Sequence, residues 1–171
     1  MDGESTSDKE APLWDCPAAR ALDQIGDWWT MQIVRESIYG ARRFGEYHSA
    51  LGISKNILSQ RLKKMAADGL IEKREDPQDA RASIYRLTEK GRSLMSILVA
   101  LVRWGDEWSP REGGPSIEFM SRATGRKVAD MAFLDDAGTT VPVCDVRATA
   151  GPGASPSLRA RFNARRKSRR A

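Results

Sequence analysis

The sequence predicts a mainly α-helical fold with a small β element, in the α+β class. Three observations carry that expectation. Apolar residues recur at helical spacing in five segments between residues 17 and 108. The run "LIEKRE" (70–75), then "DPQDARA" (76–82), then "SIYRLT" (83–88) reads as strand, turn and strand. The net charge of +5 is unevenly spread: residues 40–91 hold 11 basic and 7 acidic side chains, and residues 159–171 hold seven basic and none acidic. Positive charge gathered in two places points to a polyanionic partner.

The elements follow in order. Residues 1–13 are acidic and without period, and are expected to be disordered. In "WDCPAARALDQIG", Pro17 suits a first helical turn, Ala18, Leu22 and Ile25 share a face, and Gly26 stops the run. "DWWTMQIVRESIYG" is a helix apolar on two sides, which places it centrally, and Gly40 ends it. "RRFGEYHSALG" is a short third helix carrying Phe44, Tyr47 and Leu51 and closing at Gly52. Ser54 then caps a fourth helix. At 100° per residue its Leu58, Leu62 and Met65 share one face, and Asn56, Ser59, Gln60 and Lys63 share the other. Gly69 ends it. In the strand pair, the linking loop is expected to be longer than a tight turn and to carry Arg81 near its tip.

Thr88 caps one long helix, "EKGRSLMSILVALVRWGDEW". Leu94, Ile97, Leu98, Leu101, Gly105 and Trp108 follow a heptad-like stripe along it. Such a stripe suits either packing within the chain or a seam between two copies. Residues 109–150 alternate polar and apolar residues around Thr124–Gly125 and Ala137–Gly138, and read as a small C-terminal β extension. Residues 151–171 read as a linker followed by a basic tail. Leu158 and Phe162 are that tail's only large apolar residues, so at most a short, weak helix is expected there.

A polar-faced helix followed by a strand pair makes a winged helix-turn-helix. The major groove of duplex DNA admits one helix and presents base edges to it. Asn56 and Gln60 carry amides that can pair with adenine, and Lys63 can reach guanine. Ser54 and Ser59 are short enough to bond phosphates. Arg74 lies on a wing arm, and Arg81 could enter a narrow minor groove or pair with Asp79 or Glu75. The alternative is a winged-helix adaptor that binds protein, with this face solvated.

Several stretches together carry a family resemblance: Cys16–Pro17, "RRFGE" at 42–46, "GIS" with "LSQRL" across 52–62, "DGLIEK" at 68–73 and "YRLTEKG" at 85–91. Over residues 14–108 the chain resembles HxlR-type, MarR-like winged-helix transcription regulators. The resemblance implies operator binding as a homodimer through the first and last helices. It implies DNA contacts for Asn56, Ser59, Gln60, Lys63 and Arg81, and adds Arg42 and Arg43 as phosphate contacts. The "DPQDARA" wing departs from the proline-rich wing common in this branch, and residues 109–171 lie outside the resemblance. Some relatives of this type sense oxidants or electrophiles through a cysteine placed like Cys16. A helix start lowers a thiol's pKa, so Cys16 is a candidate redox sensor; the alternative is a small packed residue.

Other functions are disfavoured. The single His48 and the two cysteines, Cys16 and Cys144, offer no metal set and no disulfide framework, and no phosphate-binding glycine loop or nucleophile–base pair is visible. No enzyme activity, metal or cofactor is expected. Trp28, Trp29, Trp104 and Trp108 either pack in a core or line a pocket for a small-molecule effector. No run reaches the roughly 18 apolar residues that span a bilayer, and no signal peptide is seen, so a cytoplasmic protein is expected.

Overall fold

The structure, a computed structural model, describes residues 16–128 and 131–168, with the side chains of residues 80, 81 and 165–168 outside that description. These residues form two compact units. One comprises residues 24–129; the other comprises the two ends of the chain, described over 16–23 and 131–168.

Helix α1 (Pro17–Ile25) precedes α2 (Trp28–Tyr39), whose start is set by Asp27. The Oδ1 of Asp27 accepts the N–H groups of Trp29 and Thr30 at 3.0 and 3.2 Å, satisfying donors that have no partner inside the helix. Gly40, at φ +119°, ends α2 in a conformation that side-chain-bearing residues rarely adopt. Helix α3 (Phe44–Leu51) begins with a one-sided cap, in which Glu46 Oε2 accepts the N–H groups of Arg42 and Arg43 at 2.6 and 2.9 Å. Helix α4 (Lys55–Ala67) is capped by Ser54, whose Oγ accepts the Ile57 N–H at 3.3 Å. Strand β1 (Ile71–Asp76) pairs antiparallel with β2 (Asp79–Leu87), with Ile71 opposite Leu87 and Arg74 opposite Ile84.

The core lies where α2, α3, α4 and the wing root meet. Ile33, Val34, Tyr47, Leu58, Leu62 and Met65 are all but inaccessible, and Leu70, Ile71 and Leu87 join them from the strands. A 13-residue helix such as α4 is marginal alone. Its three buried apolar side chains contribute roughly 1.5–3 kcal/mol each.

Three expectations are corrected. The linker between the strands is a tight turn at Pro77–Gln78, and Arg81 lies within β2, its side chain outside the described residues. The cause is local: Asp76 Oδ1 accepts the Gln78 N–H at 3.0 Å, and Pro77 presets the turn, so two residues suffice. The expected long helix is two, α5 (Glu89–Ser93) and α6 (Met95–Trp108). Leu94 separates them and is buried, and Thr88 Oγ1 holds the start of α5 to the Gly69 carbonyl at 2.6 Å. Third, the linker and basic tail contain α7 (Pro156–Ser168), at 13 residues longer than the short helix expected there. Ser155 Oγ accepts the Leu158 N–H at 3.1 Å, and Arg159 donates to the Ala154 and Pro152 carbonyls at 3.1 and 2.5 Å. The glycine- and proline-rich run before α7 thus supplies its cap and accepts its first arginine.

The extension contains β3 (Phe133–Leu134) and β4 (Thr140–Val141), paired antiparallel, and a 3-10 turn at Val143–Asp145. Ahead of them, Met120 and Lys127 form an isolated bridge.

Gly91 is a close-packing point. A Cβ there would lie 2.0 Å from the Leu70 carbonyl oxygen and 3.0 Å from Leu70 C, both backbone atoms that cannot step aside. Gly91→Ala should therefore lower stability by about 2–3 kcal/mol, in the upper range for overpacking. Urea unfolding is the measurement; a midpoint within 0.1–0.2 M of wild type, roughly the reading error, would show that the contact yields.

Candidate nucleic-acid interface

Helix α4 divides as its sequence prescribes. Leu58, Leu62 and Met65 are buried, while Asn56, Ser59, Gln60 and Lys63 are all exposed. The helix is tied at several points. Arg61 Nη2 lies 3.0 Å from Asp27 Oδ2, so the carboxylate that caps α2 also holds α4. At the other end, Lys64 pairs with Asp68 at 3.0 Å, four residues on. Ser54 and Lys55 are exposed at its start. Lys55 is absent from the sequence-derived set, although it stands on the same i, i+4 row as Ser59 and Lys63. That spacing was the available signal.

The wing is joined to the helices by backbone. The Tyr85 N–H donates to the Arg42 carbonyl at 2.7 Å, and Arg43 bridges Ile84 in antiparallel fashion. Residues 42–43 thus meet β2 through a single isolated bridge. Below them, Tyr47 donates to the Ala41 carbonyl at 2.9 Å, and its oxygen lies 2.8 Å from Ser37 Oγ. Burial pushes the Tyr47 phenol pKa up. The Glu46 carboxyl is held below its usual range by the N–H groups of Arg42 and Arg43.

Both arginines before α3 donate into the protein. Arg42 Nη1 reaches the Ser37 and Ala41 carbonyls at 2.5 and 2.8 Å. Arg43 Nε donates to Asp76 Oδ2 at 2.6 Å, and its Nη2 to Gln78 Oε1 at 3.2 Å. Asp76 is buried, and its pKa is lowered by the Arg43 hydrogen bond first and the Gln78 N–H second. On the wing, Arg74 is exposed and lies 2.7 Å from Glu72. The structure therefore brings Arg43 to the wing tip, a link across 33 residues that no local pattern signals.

The α6 stripe splits in two. Leu94 and Leu98 are buried against their own domain, whereas Ile97, Leu101, Trp104 and Trp108 are exposed, the two tryptophans by more than 60%. Gly105 is half-buried, with open space where a Cβ would stand. Trp28 is also exposed, and among the four described tryptophans only Trp29 packs against the core. Cys16 stands just before α1 and is half-buried. Its thiol pKa is lowered by the backbone N–H groups of Ala19 and Ala18, with smaller contributions from Arg20 and Arg161.

A winged-helix unit with an exposed polar fourth helix has known counterparts. A family model described as HxlR-like helix-turn-helix matches residues 24–113. The chain belongs to the HxlR-like family. An uncharacterised helix-turn-helix-type transcriptional regulator of Mycobacterium tuberculosis, Rv3095, is 36% identical over 139 residues, 81% of this chain and 88% of that protein. Among solved structures, PA1607, described as a candidate transcription factor, is 35% identical with a TM-score of 0.73, covering 85% of this chain and 100% of that one. The reduced form of the redox regulator HypR is 30% identical with a TM-score of 0.50 and covers 54% of this chain and 92% of that one. This HxlR-like chain is a transcriptional regulator with a helix-turn-helix domain, and its family and relatives are regulators rather than enzymes. No described helix is long and apolar enough to cross a membrane.

Proposed function

We propose that the protein is a homodimeric, sequence-specific DNA-binding regulator, with α4 in the major groove and the β1–β2 wing at the minor groove. One observation carries this reading: the amide, hydroxyl and ammonium groups of Asn56, Ser59, Gln60 and Lys63 are exposed together on a helix immobilised by its other face. A base-reading helix needs that combination, because mobile donors lose entropy on docking. Ser54 and Lys55 at the helix start, Arg42 before α3 and Arg74 on the wing supply positive and polar groups for phosphates. A protein-binding adaptor would leave those groups solvated.

The exposed apolar face of α6 supports a second copy as partner. Its 14 residues extend about 21 Å at 1.5 Å per residue. A strip about 10 Å wide then covers only about 200 Å², against about 800 Å² per partner in a standard interface. Leu22 of α1 is itself 62% exposed, and the family resemblance implies a dimer contact through the first and last helices. A two-fold protein matches two half-sites about one helical turn apart, or a multiple of it.

In vitro selection from random duplex DNA should return such a paired sequence. Gln60→Ala should cost about 1–3 kcal/mol and relax preference at one or two base pairs. Leu101→Glu should yield monomers and abolish specific binding. A wild-type monomer protecting a single half-site would overturn the dimer, and unchanged selectivity in Gln60→Ala would remove this face from base reading.

The basic tail suits neighbouring phosphates. If it neutralises three, truncation after Ala150 should flatten the slope of log K against log salt by about 3, equally for specific and random DNA. An unchanged slope would make the tail a solvated appendage.

An oxidant response is supported by the lowered Cys16 pKa and by the likeness to the redox regulator HypR. Thiolate is the reactive form. Peroxide or a quinone should weaken or strengthen operator binding in the wild type and leave Cys16→Ser unaffected. A response that persists in Cys16→Ser would place the sensor elsewhere.

A further inference from the structure

We infer that Arg43 and Asp76 form a positioning pair that sets the angle at which the wing meets DNA. Arg43, on this view, acts through the wing rather than as a phosphate contact of its own. The inference rests on the reading of α4 and the wing as the DNA-binding surface, and it assigns a role within that surface.

The wing is held at two places. Its root is fixed by burial of Leu70, Ile71 and Leu87 in the core. Its far end has no such core, since Lys73, Arg74, Glu75, Pro77, Gln78 and Asp79 are exposed. Between root and tip, the six residues of β1 span about 20 Å at roughly 3.3 Å each. A two-stranded ribbon of that length twists and bends readily and is marginal by itself. The backbone bridge from Arg43 to Ile84 supports it part-way along. Beyond that bridge, Arg43 reaches the tip, its Nε donating to Asp76 Oδ2 at 2.6 Å and its Nη2 to Gln78 Oε1 at 3.2 Å.

Asp76 is built for this task. It is 4% exposed, although it sits beside a turn on an otherwise exposed hairpin end. One oxygen closes the turn by accepting the Gln78 N–H, and the other takes the guanidinium. Its burial coincides with a shift of register between Glu75 and Asp76, which lets the side chain leave the alternation of the strand. The same carboxylate therefore shapes the tip and ties it to the start of α3. Arg43 suits the tie because a planar guanidinium can donate to two acceptors at fixed angles, which an ammonium cannot.

Charge makes the idea testable, because the two roles predict opposite signs. Removing a carboxylate from a DNA-binding surface raises the net positive charge, which by itself strengthens binding to any DNA. A positioning carboxylate does the reverse for the specific site. We expect Asp76→Asn to weaken specific binding about tenfold, as when the binding-competent wing pose falls to about a tenth of the population. Arg43→Gln should weaken it by a similar factor, with the slope of log K against log salt changed by well under the 0.9 that one phosphate contact contributes. The double variant should lose no more than either single, because the pair acts as a unit. Hydrogen exchange should show faster opening of the wing amides, with the α4 amides unchanged.

The measurement is operator binding by the full-length protein and these variants at several salt concentrations. Arg43 is nearly half exposed, so Arg43→Gln is expected to fold even if Asp76→Asn does not, and it then carries the test. Two results overturn the inference: a slope lowered by about 0.9 in Arg43→Gln, or specific binding unchanged or tightened in a folded Asp76→Asn. Failure of the wild type to bind any duplex would sink the DNA reading itself, which separates the two failures.

Discussion

The hydrogen bond from the Tyr85 N–H to the Arg42 carbonyl, 2.7 Å long, is the contact on which the arrangement of the surface depends. Together with the isolated bridge from Arg43 to Ile84, it ties a marginal two-stranded ribbon to the helices. The same short segment is gripped from below by Tyr47, whose hydroxyl donates to the Ala41 carbonyl, and from one side by Glu46, whose carboxylate accepts two of its N–H groups. The end of α2, the start of α3 and the wing thus share one small piece of backbone. A shift in any of them would be felt by the others, because the segment offers few unpaired groups with which to adjust.

Helices α4 and α6 illustrate opposite uses of an exposed face. On α4, the outward side chains are polar, and water satisfies them at no cost until a partner with matching donors and acceptors replaces it. On α6, Leu101, Trp104 and Trp108 are apolar and exposed, and each keeps surface in contact with water that burial would release. A contiguous face of that kind marks an association site more often than an accident of composition. The buried and exposed halves of the stripe also explain its length: Leu94 and Leu98 bind the helix to its own domain, and the remaining positions are left over.

Much of the fold is legible in the sequence, since capping residues and glycine stops have local causes. Ser54 and Thr88 begin helices because their side chains reach N–H groups three residues away. Gly40, Gly52 and Gly69 end them because a positive φ excludes other residues at little local gain. The two faces of α4 follow from 3.6-residue periodicity alone. The wing turn is shorter than the sequence suggests for a related reason: an Asp side chain can close a turn in two residues, and length alone does not reveal that it has done so. The length of α7 was underestimated because its stabilising contacts come from the linker ahead of it, at Pro152, Ala154 and Ser155.

By itself the sequence determined periodicity, caps, stops and charge, and hence the class of fold and the chemistry offered on α4. Those quantities depend on neighbours within about one helical turn or a few strand residues, so they survive in the bare order of residues. Only the tertiary structure decided that Arg43 binds Asp76 rather than lying free before α3, that a buried Leu94 separates two helices, and that Asp27 holds two helices at once. Each of these joins residues far apart in the chain or depends on how much room the core leaves. Distance along the sequence carries no information about either, because the closing of long loops is governed by the whole chain's packing and not by the residues at their ends.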